Sequence, residues 1–300
     1  FAEDAARHFF LPERYTDPFG AVTTLEYDPL DLYVQSVTDA RRNRVEVLRF
    51  DHRVLTPVEM VDPNGNHTEA CVDILGRVMA VAAKGKRTGS GWEGDDLDAF
   101  SPDSLLRNPS TADVQAFSTA STLDESQARR WLGRASSRFV YHFGEARDAE
   151  GNVIAWGARP AMACAIAREV HASQPGGERS LLQIALECSD GSGNVLMKKV
   201  QAEPEVEGGA LRWIVNGLTV LNNKGKPVKQ YEPFFSDRFG CEMPLAEGVT
   251  PILFYDAAGR VVCANLPDGT FTKVEFSPWH SVQFDAGDTV LDSAWYAGRG

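Results

Sequence analysis

One pattern returns three times near the N-terminus at a spacing of 22 to 23 residues, and a fixed period of that length admits few folds. The stretches are Tyr15-Thr-Asp-Pro-Phe-Gly20, Val37-Thr-Asp-Ala-Arg-Arg-Asn43 and Val61-Asp-Pro-Asn-Gly-Asn66. Each is followed, eleven or twelve residues after its Asp, by a second Asp behind an apolar residue: Tyr27-Asp28, Phe50-Asp51 and Val72-Asp73. The first Asp therefore steps from Asp17 to Asp39 to Asp62, and the second from Asp28 to Asp51 to Asp73. Such a period marks a supersecondary unit that buries its apolar surface only against its neighbours. It predicts a structural array rather than a catalyst.

The local chemistry gives each unit its form. Val22-Thr-Thr-Leu-Glu-Tyr27 and Arg44-Val-Glu-Val-Leu-Arg-Phe50 have the alternation and β-branched content of half-buried strands. Asp17-Pro-Phe-Gly20, Asp62-Pro63-Asn-Gly65 and Ile74-Leu-Gly76-Arg77 are turn sequences. Proline presets φ, Gly or Asn accepts positive φ, and Asp closes the turn with its side chain. Residues 1–85 thus read as a run of hairpins.

Residues 86–135 read as an insertion. A polar, Gly-rich loop ends in Gly89-Ser-Gly-Trp-Glu-Gly-Asp-Asp96. Short helical turns are expected at Asp103 and Asp113, and a helix over Leu123–Arg134, capped by Asp124 and ended near Gly133, is expected to buttress a sheet. Residues 136–300 return to strands at Ser137–Phe143, Ser180–Cys188 and Val195–Val200, with turns at Asp148–Asn152 and Asp190–Asn194. Ala158–Val170 is Ala-rich and predicts helix by propensity. The repeat comes back in Tyr255-Asp256-Ala-Ala-Gly259-Arg260 and Pro267-Asp268-Gly269-Thr270, so one extended sheet around the insertion is expected.

A net charge of −12 and the lack of a basic, aromatic-interleaved stripe argue against nucleic acid or an anionic membrane as the main partner. Lys198, Lys199, Lys224, Lys226 and Lys229 read as a solvated face. The five cysteines are odd in number, widely spaced and without a Cys-x-x-Cys pair, which predicts buried reduced thiols from a cytosol. No apolar run reaches the ~20 residues of a membrane span. Phe1 begins no signal-peptide pattern, and with the repeat under way by Asp17 the chain reads as a piece of something longer.

The Asp-x-x-Gly-Arg-Val and Tyr-Asp signals resemble the YD repeats of the RHS superfamily. More specific segments are similar to the B component of insecticidal toxin complexes, the Tc toxins. They are Ser137–Tyr141, Arg168-Glu-Val-His171, Lys198–Pro204, Leu221–Ser236, Gly248–Asp256, Phe276–Trp279 and Asp288–Val290. The resemblance is collinear and weakest over residues 86–135. It implies a mainly β fold, a YD-repeat hairpin array forming part of a curved, hollow β-shell, with a small helical insertion near 101–135. It implies a non-enzymatic shell segment that helps enclose the cytotoxic C-terminal segment of the C component before delivery. It further implies a secreted complex whose partners are the C component, the rest of the B component and, through other regions, the A-component channel. No cofactor is implied. The aspartyl self-cleavage site belongs to the C component, and no propeller period is visible here.

Other chemistries fare worse. The histidines share no i, i+3 or i, i+4 spacing, and Asp190–Asn194 lacks the terminal Glu of a calcium loop. No Gly-x-Ser-x-Gly, phosphate-loop or His-Glu-x-x-His motif is present. Paired carboxylates could hydrolyse glycosides, but here they recur at every repeat beside turn residues. Glu205-Val-Glu207 lies too far from Ser118-Thr-Ala-Ser121 for an ADP-ribosyltransferase. The alternative is a carbohydrate- or receptor-binding module presenting its tryptophans.

Overall fold

The computed structural model describes residues 2–89, 91–206, 208–243 and 245–299. Ser90 of the expected loop and Glu207 of the Glu205-Val-Glu207 segment lie outside the described residues. Among the described residues the chain is mostly β, with one large antiparallel sheet and no closed barrel.

That sheet has thirteen strands, and their spatial order is their order along the chain. The first seven are Arg14–Thr16, Val22–Tyr27, Val34–Thr38, Arg44–Asp51, Thr56–Val61, His67–Val72 and Val78–Gly85. Then follow Ser137–His142, Ala161–Arg168, Leu182–Ser189, Val195–Ala202, Arg212–Val215 and Phe234–Ser236. The returning repeat does not extend this sheet. Ile252–Tyr255, Val261–Asn265, Phe271–Phe276 and Ser281–Phe284 form a four-stranded sheet of their own.

Two compact units share the chain. One comprises Phe1–Phe117, Asp124–Tyr141 and Cys164–Ile184; the other comprises Ser118–Leu123, His142–Ala163 and Ala185–Gly300.

In the first unit, residues 14–61 are thinly covered: only Asp28, Ser36 and Val47 are buried there. A sheet with two wet faces needs little continuous hydrophobicity, which explains the polar strands. Glu59 and Glu69 stand directly opposite one another across two strands, a like-charge pairing that repels. Lys84 offsets it, with Nζ 3.4 Å from Glu59 and 3.0 Å from Glu69, under the Trp92 ring at 4.1 Å. The insertion then covers the sheet. Helix Glu125–Leu132 starts on Asp124, whose side chain accepts the Gln127 N–H at 2.8 Å, and ends at Gly133 with φ of 54°. It buries Ala128, Trp131 and Leu132, while a second helix, Thr111–Thr119, brings Phe117 edge-on to Trp131 at 5.0 Å.

In the second unit, Trp213 is the largest fully enclosed side chain and packs on Phe239 at 5.4 Å between ring centres. Alternation along Val195–Ala202 buries Met197 and Lys199 and exposes Lys198. Lys199 therefore leaves the expected solvated face: it is 1% exposed, and its Nζ donates to Arg238 O at 2.7 Å and Glu242 Oε1 at 2.6 Å. Burial lowers its pKa from the ordinary lysine value.

Two further expectations are corrected. Ala158–Val170 holds a strand, Ala161–Arg168, with Met162, Cys164 and Ile166 buried in alternation. Sheet pairing and period-two burial outweigh the helix preference of its alanines. The cysteines are not all reduced, because Cys188 and Cys241 form a disulfide across 53 residues of chain. Cys71, Cys164 and Cys263 are free thiols.

Candidate functional site

Every turn of the first seven strands begins on an aspartate: Asp17, Asp28, Asp39, Asp51, Asp62 and Asp73. The period of 22 to 23 residues is thus two strands plus two turns. Asp62 shows the local rule. Its N–H donates to Asn66 O, the Gly65 N–H donates back to its carbonyl, and its carboxylate accepts the Asn64 and Asn66 N–H groups, each at 2.8 Å. Pro63 presets the first turn residue, and Gly65 takes the left-handed φ of 81°.

Asp17, Asp73 and Asp256 build the same loop, with Gly20, Gly76 and Gly259 in the left-handed position. Asp268 accepts the Thr270 N–H at 2.9 Å, beside Gly269 with φ of 87°. Asp39 does without glycine, because Arg42 adopts φ of 67°. Asp28 closes a wider loop, accepting from Leu30, Leu32 and Tyr33. Arg77 and Arg260 each donate Nε to their own turn aspartate at 2.7 Å. The apolar partners act nearby: Tyr27 and Tyr255 donate to Pro12 O and Pro227 O, and Phe50 stacks on Tyr33 at 3.8 Å. Asp148, Asp190 and Asn222 begin loops of the same kind, the last unmarked in the sequence reading although Asn222-Asn-Lys-Gly225 carries the signal.

These carboxylates are strung along the turns and committed to their own backbone. Their titration follows. The Arg53 side-chain hydrogen bonds hold Asp51 down at about 2, against an ordinary 3.8. Asn43, Asn66 and Asn194 likewise lower Asp39, Asp62 and Asp190. A depressed carboxylate adds stability that is fully present above its unfolded pKa and lost as pH falls through the folded one. The urea midpoint is therefore expected to hold steady down to about pH 4 and to fall steeply toward pH 2. Asp51→Asn, which keeps an acceptor but loses the Arg53 pair, is expected to soften that fall; an unchanged acid limb would count against this assignment.

A second cluster escaped the sequence reading. Asp95 is fully enclosed, and its carboxylate accepts from Ser136 Oγ at 2.5 Å, His171 Nδ1 at 2.8 Å and the Ala172 N–H at 2.6 Å. Arg168 Nε stands 3.8 Å away, and the guanidinium donates to Ala135 O at 2.9 Å, to Gly177 O at 3.3 Å and to Gly133 O. Both ends of the Arg168-Glu-Val-His171 segment thus converge on one carboxylate. Ser136 donates to Asp95 rather than to His171, so these three side chains are not arranged as a Ser–His–Asp relay. The cluster ties three loops together. Gly94 and Gly177 allow the close backbone approach, since a Cβ on either would stand 2.0 Å from a carbonyl oxygen.

No protein-family model matches the chain, and no curated protein does. Solved structures do. A crystal structure of TcdB2-TccC3 is similar over 96% of this chain, with a TM-score of 0.63 and 22% identity. A TcdB2-TccC3-Cdc42 crystal structure matches over 96% at a TM-score of 0.66, and a Photorhabdus luminescens Tc holotoxin pore over 94% at 0.65, each with 20% identity. The chain spans only 13% to 16% of those chains. The shared property is the fold: a mainly β chain with the strand arrangement of Tc toxin complexes.

Proposed function

We propose that this chain is a wall segment of the shell of a Tc-type toxin B component, working by containment and without chemistry of its own. The fold match over 96% of the chain carries the reading. The thinly covered sheet over residues 14–61 supports it, as does a row of exposed apolar residues, Val200, Ile214 and Phe235, paired across three strands and 40% to 58% exposed. Such a row suits weak contact with an unfolded polypeptide. The enclosed polypeptide would be the cytotoxic C-terminal segment of the C component, and contact with the A-component channel would fall to other regions. The Cys188–Cys241 disulfide suits a secreted complex, since such bonds persist outside the reducing cytosol.

Co-expressed with the remaining B-component segments and a C component, the chain is expected to enter a stable complex. In it, the C-component tail should survive a protease dose that degrades the free tail. A tail cleaved as fast as when free would overturn the proposal.

A further inference from the structure

The two ends of the last four strands differ in charge. Ile252–Tyr255, Val261–Asn265, Phe271–Phe276 and Ser281–Phe284 pair antiparallel in chain order, so the turns at 256–260 and 277–280 share one end. The opposite end carries Asp268, Asp285 and Asp288. The loop that begins on Asn222 joins the first end. Lys224 Nζ donates to Ala257 O at 3.1 Å, and Lys226 Cε lies 3.4 Å from where a Gly259 Cβ would stand. All these segments belong to the second unit.

Lys224, Lys226 and Arg260 therefore stand along one rim, and all three are exposed. Among the described residues neither lysine forms an ion pair, although the chain has a net charge of −12. The two carboxylates nearby are already engaged, Asp256 by Arg260 at 2.7 Å and Glu275 by Lys273 at 2.9 Å. An acidic protein thus presents a locally positive edge.

The neighbouring turn adds apolar surface. The Arg260 guanidinium lies over the Phe276 ring at 4.1 Å, and Trp279, three residues on, is 92% exposed. The turn that carries this indole is fixed. The Ser277 hydroxyl accepts the Trp279 and His280 N–H groups at 3.2 and 2.9 Å and donates to His280 O at 3.0 Å. The Ser277 N–H donates to the same carbonyl at 2.8 Å. A tryptophan on an anchored turn loses little freedom on binding, and tryptophan is a common energetic centre of protein interfaces. At the usual strand spacing the three turns extend about 20 Å, the reach of roughly six extended residues.

We propose that this rim docks a short, extended, acidic segment of a partner polypeptide. Lys224 and Lys226 take its carboxylates, and Trp279 and Phe276 take its apolar side chains. Charge complementarity selects an acidic occupant. Two unpaired ammonium groups are too few to hold a nucleic acid, which needs many phosphate contacts, whereas two cations beside an indole match a mixed acidic and apolar peptide. This surface is separate from the containment reading and does not rest on it.

Anisotropy of a dye-labelled glutamate–tyrosine copolymer, titrated with the full chain at low ionic strength, tests the proposal. Heparin and phosphatidylserine vesicles serve as separate probes. Saturable binding of the copolymer is expected, weakening as salt is added. Trp279→Ala is expected to weaken it about tenfold or more, the mark of an interface anchor. Lys224→Gln/Lys226→Gln is expected to weaken it several-fold and to flatten the salt dependence, whereas Lys86→Gln, an exposed change in the first unit, should leave it as it was. Melting curves are expected to match the parent's, since every altered side chain is exposed. No saturation, or equal binding by either rim variant, would overturn the proposal. So would heparin or vesicle binding without copolymer binding, which would assign the rim to a sulfated glycan or a membrane.

Discussion

Replacing Asp95 with alanine is expected to remove about 3–5 kcal/mol of folding free energy, the range for stripping one partner from a buried charged cluster. The carboxylate is wholly enclosed and serves Ser136, His171 and the Ala172 N–H, with Arg168 behind them. Alanine would leave those donors facing nothing, and the Arg168 side chain, 8% exposed, would lose its countercharge. Asp95→Asn keeps the volume and one acceptor, so an intermediate loss is expected. Urea unfolding of the two variants reads both effects. An alanine variant within about 1 kcal/mol of the parent would show that the cluster is satisfied some other way.

Reduction of the Cys188–Cys241 bond should have an effect of similar size. It spans 53 residues, and releasing a loop of that length restores unfolded-chain entropy worth about 4 kcal/mol. The bond also anchors the 238–241 segment, so reduction is expected to loosen that segment alongside the loss of stability. Thiol titration in denaturant should find three reactive groups before reduction and five after it, following the three free cysteines and the one bond. Five before reduction would show the bond unformed. An oxidised and a reduced sample with equal urea midpoints would show that it adds nothing.

The turns were legible in the sequence because their determinants are local. An Asp three residues before Gly20, Gly65 or Gly76 states the acceptor and the left-handed residue together. Helix Glu125–Leu132 was legible for the same reason, its cap and its terminating glycine being adjacent to it. What failed was long-range. Nothing near Cys188 points to Cys241, and nothing near Asp95 points to His171, 76 residues away. Ala161–Arg168 misled because alanine is favoured in isolated helices, whereas neighbouring strands set its conformation here. Lys199 was misplaced because a count of basic residues ignores the strand alternation that separates it from Lys198. The returning repeat near Asp256 was correct in its hairpins, yet local turn chemistry does not specify which sheet a hairpin joins.

The meander has a kinetic consequence. Because each turn of the first seven strands closes on its own carboxylate and each of those strands pairs with its predecessor in chain order, the contacts over residues 14–85 join near neighbours in sequence. Loop-closure entropy stays small, so hairpins can zip one after another as the polypeptide leaves the ribosome. A sheet raised in that manner can stand, strand by strand, while the rest of the chain is still being translated.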